Sequence, residues 1–86
     1  MNYWTIRVPK RIVRELRKMP QKDKKRIINI LREFATDPWQ GDIVKIQGEK
    51  NLWRRRVGNY RIFYSPYAEQ KIVDVKEVER RTTTTY

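Results

Sequence analysis

The chain has 86 residues, with 21 Lys+Arg against 10 Asp+Glu, a formal net charge of +11, and neither cysteine nor histidine. That length fits a single domain over 1–86 with a modest core, and the composition excludes disulfides, thiolate chemistry and the commonest general base and metal ligand. No apolar run approaches the roughly 20 residues of a membrane span and the N-terminus turns polar too early for a secretion signal, so a soluble cytoplasmic protein with an anionic partner is expected.

In chain order, residues 2–8 (NYWTIRV) alternate and are rich in β-formers, which predicts a strand. Pro9 suits a helix start, and Ile12, Val13, Leu16 and Met19 then recur at helical spacing opposite a basic face. Met19-Pro20 breaks that helix. A second helix is predicted from about Gln21 to Thr36, with Ile27, Ile30, Leu31 and Phe34 as its apolar stripe, and it stops at the breaker-rich TDPWQG. Four short β-rich runs follow, at 42–47, 52–57, 60–65 and 71–78, with Gly58-Asn59 as a two-residue hairpin turn and SPYAEQ as the next turn. The order β-α-α-β-β-β-β predicts an α+β fold, in which a helical hairpin packs on a small antiparallel sheet made mixed by its N-terminal strand.

The segment LWRRRVGNYRIFY (52–64) carries four arginines. With the turn setting the register, Val57 opposes Tyr60, Arg56 opposes Arg61, Arg55 opposes Ile62 and Arg54 opposes Phe63. Opposed residues share a face, as do alternate residues along a strand. One face therefore gathers Arg54, Arg56, Arg61 and Phe63. The other, with Trp53, Val57, Tyr60, Ile62 and Tyr64, is a core face on which Arg55 is a misfit expected to snorkel outward. Arg56 opposite Arg61 is a like-charge pair that weakens a hairpin by up to about 1 kcal/mol. Three guanidiniums without an acid among them suit an awaited phosphate, which guanidinium grips with two parallel hydrogen bonds, and Phe63 beside them suits stacking on a base. A solvated basic strand is the alternative.

With these motifs the whole chain resembles the RelE branch of the RelE/ParE toxin superfamily, through the β-α-α-β order, the arginine hairpin and a last strand ending ERRTTTTY. The resemblance implies a toxin of a type II toxin-antitoxin system that cuts mRNA in the ribosomal A site, is inhibited by a cognate antitoxin, and needs neither metal nor other cofactor. It implies catalytic roles for Arg54, Arg56 and Arg61, for Arg80 at the end of the last strand, and for Tyr86. Arg81 competes with Arg80 for the strand-end role and is otherwise an RNA contact, as are Phe63 and Lys45; for Lys45 a solvated edge is the alternative. Family members commonly carry lysines where Arg54 and Arg56 stand, and others place a histidine or glutamate in the site, which this hairpin lacks.

The implied chemistry uses the RNA 2′-hydroxyl as nucleophile. Arginines hold the backbone in line and neutralise the transition state, while Tyr86, whose reference pKa is near 10, serves as base; a frayed chain end is the alternative for Tyr86. Trp4, Trp39 and Trp53 read as core or loop anchors. The cluster QKDKKR (21–26) is a helix face that meets ribosomal RNA, an acidic antitoxin or solvent. Two rival functions share these features: a ParE-type gyrase inhibitor, whose relatives usually lack the terminal basic-plus-tyrosine set, and a non-catalytic RNA- or ribosome-binding module.

Overall fold

The computed structural model describes residues 3–80. Strand β1 (Thr5–Arg7) leads into helices α1 (Lys10–Lys18) and α2 (Gln21–Thr36), followed by β2 (Ile43–Lys45), β3 (Trp53–Val57), β4 (Tyr60–Tyr67) and β5 (Ile72–Arg80). The expected order is the observed one. Both helices begin just after a proline, and Met19 between them is extended, as a residue before proline prefers.

The five strands form one sheet in the order β1-β5-β4-β3-β2. β1 runs parallel to β5 and every other neighbouring pair is antiparallel, so the sheet is mixed through its N-terminal strand. The helices cover one face. Ile12 and Leu16 of α1 and Ile27, Ile30 and Phe34 of α2 pack with Tyr60, Ile62, Tyr64, Val73, Val75 and Val78 into a single core. Phe34 meets the Tyr64 ring at 4.3 Å between centroids. The three tryptophans clamp the end of α2, with Trp39 edge-on to Trp4 at 6.2 Å and to Trp53 at 5.2 Å. They are anchors, as their positions suggested. No helix of the described residues is long and apolar enough to cross a membrane.

Two features depart from the sequence reading. SPYAEQ is not all turn: Ser65, Pro66 and Tyr67 continue β4 and pair with Asp74, Val73 and Ile72. In addition, β5 carries a bulge. Tyr64 pairs with Val75 but Phe63 pairs with Glu77, which leaves Lys76 as an extra residue. The bulge reverses the alternation of β5, because Val73 and Val75 face the core before it and Val78 after it.

Candidate active site

The β3–β4 hairpin has the register that its two-residue turn dictates, with Arg54 opposite Phe63, Arg55 opposite Ile62, Arg56 opposite Arg61 and Val57 opposite Tyr60. Gly58 at the first turn position has φ +56, a conformation that glycine adopts without steric cost. Tyr60, Ile62 and Tyr64 are buried beneath the helices, so by alternation Arg54, Arg56, Arg61 and Phe63 stand together on the open face. Phe63 is half-buried among them and leaves part of its ring accessible.

These cations are unevenly compensated. Arg56 lies 3.5 Å from Asp42 Oδ2, an exposed pair, so the expectation of three unpaired guanidiniums needs correcting at this position. The sequence hid the contact because Asp42 belongs to the segment leading into the neighbouring strand. Arg54 and Arg61 form no ion pair among the described residues, and the Nε–H of Arg54 is buried without an acceptor. A buried donor of that kind is a costly group unless an acceptor arrives.

Three further sequence-derived residues are placed elsewhere. Arg55 does not snorkel to solvent. Its side chain is 12 % exposed and its Nη1 donates to Glu33 Oε1 at 3.3 Å and to the Gln40 carbonyl at 3.1 Å. Gly41, at φ +90, leaves the guanidinium its space, since a Cβ there would collide with Arg55 Cζ. Lys45 pairs with Trp53 and so belongs to the helix side of the sheet edge, away from the arginine face. Arg80 opposes Tyr60, which also puts it on the helix side. The bulge at Lys76 is the physical reason, since unbroken alternation from Val73 and Val75 would have carried position 80 to the open face. The signal was present in the sequence as a spacing of two and then three between Val73, Val75 and Val78. Arg81 and Tyr86 lie outside the described residues.

Arg80 instead borders a shallow groove with Met19, Pro20, Tyr60 and Val78. Tyr60 donates its hydroxyl to Asp23 Oδ2 at 3.0 Å. Burial and then that hydrogen bond push its pKa above the ordinary tyrosine value, while the nearby Arg80 charge opposes the rise. The Tyr64 hydroxyl donates to the Pro38 carbonyl at 2.7 Å, and burial pushes this phenol to about 12. Both phenols are structural groups of the core.

One residue beyond the sequence reading joins the open face. Glu79 pairs with Arg61 across β4 and β5. Arg26 of α2 reaches the hairpin turn, where its Nη1 lies 2.6 Å from the position that a Gly58 Cβ would take. Further along the same face, Leu52, Ser65, Tyr67 and Lys76 help line an open concavity of about 670 Å³, which continues the strip that starts at the arginines.

The architecture is thus a two-helix layer on a five-stranded mixed sheet, with a cationic hairpin on the uncovered face. The sequence matches the family described as ParE toxin of type II toxin-antitoxin system, parDE, over residues 6–84. A RelE toxin from Methanococcus jannaschii, solved with its RelB antitoxin, is 31% identical, with 86% of this chain and 88% of that chain covered and a TM-score of 0.70. RelE of the archaeal RelE–RelB complex from Pyrococcus horikoshii OT3 superposes at a TM-score of 0.82 over 98% of this chain and 100% of that chain, at 22% identity. A curated relative from Methanocaldococcus jannaschii bearing the toxin name RelE1 is 22% identical over 81 residues, 91% of this chain and 90% of the relative. The chain belongs to the RelE/ParE family of type II toxin-antitoxin toxins, on its RelE side.

Proposed function

We propose that this toxin is a ribosome-dependent endoribonuclease that cleaves mRNA through attack of the RNA 2′-hydroxyl on the adjacent phosphate. The observation that carries the reading is the grouping of Arg54, Arg56 and Arg61 on one uncovered face, two of them without an ion pair among the described residues. Guanidiniums so placed bind the scissile phosphate, hold the backbone for in-line attack and neutralise charge that builds on the phosphorane-like transition state. Phe63 offers a ring on which a neighbouring base stacks. With Arg80 on the helix side, the strand-end role falls to Arg81 in this reading. The resemblance gives the role of base to Tyr86.

The partner in the cell is a cognate antitoxin. The Methanococcus jannaschii and Pyrococcus horikoshii relatives were solved with RelB antitoxins, and a surface of +11 formal charge suits an acidic wrapping chain as well as RNA. The test is cleavage of mRNA on purified, programmed ribosomes. Wild-type protein cuts in the A site, and Arg61→Ala lowers the single-turnover rate by about 10²-fold or more while its circular dichroism stays native. The family description carries the ParE name, so a gyrase-directed toxin is the second reading. Ribosomes left uncut, with gyrase–DNA cleavage complexes accumulating in arrested cells, would favour it.

A further inference from the structure

The reaction requires a group that takes the 2′-hydroxyl proton, and the arginine end of the hairpin supplies none, the exposed Tyr67 standing at the far end of β4 opposite Ile72. Arginine stays protonated in proteins, the chain has no histidine, and Tyr60 and Tyr64 are buried in the core with their hydroxyls engaged. Strand register, however, brings carboxylates onto the arginine face from β5. Asp74 opposes Ser65, Glu77 opposes Phe63 and Glu79 opposes Arg61. The first two are occupied: Asp74 faces Arg7 at 3.9 Å, and Glu77 accepts from Arg11 Nη1 at 3.2 Å. Asp42, beside Arg56, is occupied as well. Glu79 is exposed and has neither hydrogen bond nor ion pair among the described residues. Directly opposed residues of antiparallel strands hold their Cβ atoms about 4.5–5.5 Å apart, so this carboxylate stands beside the Arg61 side chain.

The bulge at Lys76 makes the arrangement. It turns Arg80 to the helix side and, by the same reversal, turns Glu79 to the arginines. We infer that Glu79 is the general base of the site, taking the role that the resemblance gives to Tyr86. This inference rests on the ribonuclease reading of the same face. In the step, the 2′-oxygen gives its proton to the Glu79 carboxylate and forms a bond to phosphorus. The bond from phosphorus to the 5′-oxygen breaks, and that oxygen takes a proton from solvent. The products are a 2′,3′-cyclic phosphate and a 5′-hydroxyl, and Glu79 returns its proton to solvent. Arg61, opposite Glu79, holds the phosphate within reach of the base.

The test is single-turnover mRNA cleavage on programmed ribosomes with wild type, Glu79→Gln, Glu79→Asp and Glu79→Ala, each checked for native circular dichroism. Positioned general bases contribute about 10²–10⁴-fold. Glu79→Gln is expected to slow cleavage by about 10²-fold or more with its concentration dependence unchanged or tighter. Glu79→Asp is expected to keep part of the rate, and Glu79→Ala to regain activity saturably with added formate. Glu79→Gln cutting within about threefold of wild type would overturn the inference and leave the ribonuclease reading standing. A rate loss matched by weaker ribosome binding and unmoved by formate would also overturn it, making Glu79 a structural partner of Arg61. A wild-type protein that cuts nothing would sink the ribonuclease reading itself.

Discussion

Arg55 and Arg61 show how two arginines of one hairpin take opposite roles. Arg55 stands on the core face and was expected to reach water, yet it turns inward to Glu33 and the Gln40 carbonyl. Spacing alone could not reveal that partnership, because its acceptors lie 22 and 15 residues away. Arg55→Ala should therefore lower stability by about 1.5–3 kcal/mol, the range for hydrogen bonds to charged groups. Arg61→Ala should leave stability within about 1 kcal/mol of wild type, since it relieves a like-charge pair; urea unfolding of both variants is the check. Tyr64 gives a second test at this scale. The folded state favours its neutral phenol, raising the pKa from 10.0 to about 12. Its contribution is thus fully present below pH 10 and is lost as pH rises toward 12, on the order of 2–3 kcal/mol in all. Tyr64→Phe should cost about 1–2 kcal/mol near neutrality by stranding the Pro38 carbonyl, and the gap from wild type should narrow across that alkaline window in unfolding experiments.

Between elements, local pattern carried a long way. Helical spacing gave both helices, breakers separated them, and one glycine-containing turn set the whole β3–β4 register as observed. It failed where pairing is long-range or where alternation breaks. Lys45 reads in the sequence as an RNA contact or a solvated edge residue, whereas its strand pairs with β3 so as to set it opposite Trp53 on the helix side. The resemblance puts Arg80 in the strand-end role, but it does not register the extra residue in β5 that turns position 80 to the helix side. The bulge governs the site, since it decides which of Glu79 and Arg80 meets the arginines. Deleting Lys76 should remove the bulge and leave the rest of β5 in register, with Val75 and Glu77 as consecutive residues opposite Tyr64 and Phe63 and with Val78 and Glu79 on their present faces. Urea unfolding should show a loss below about 2 kcal/mol, and mRNA cleavage should persist. A deletion variant that no longer folds would contradict this register.

For the molecule as a whole, the excess of cations is divided between pairing and recognition. Among the described residues Arg7, Arg11, Arg55 and Arg56 meet carboxylates, while Arg54 and Arg61 form no ion pair and are, in the proposed function, the groups that take a phosphate on the uncovered side of the sheet. RNA binding that depends on such contacts should weaken steeply with salt, by about −0.7 in log–log slope per phosphate neutralised on a single strand. Arg54→Ala should reduce that slope by roughly one such step without altering the fold. The central claim is that this face grips a phosphate while the message attacks itself, and the chemistry of the cut ends tests it most directly. Fragments from ribosome-bound mRNA should carry a 2′,3′-cyclic phosphate and a 5′-hydroxyl, and a message with a 2′-deoxy nucleotide at the cut should stay intact. Fragments with 3′-hydroxyl and 5′-phosphate ends, or undiminished cutting of the deoxy-substituted message, would contradict the account.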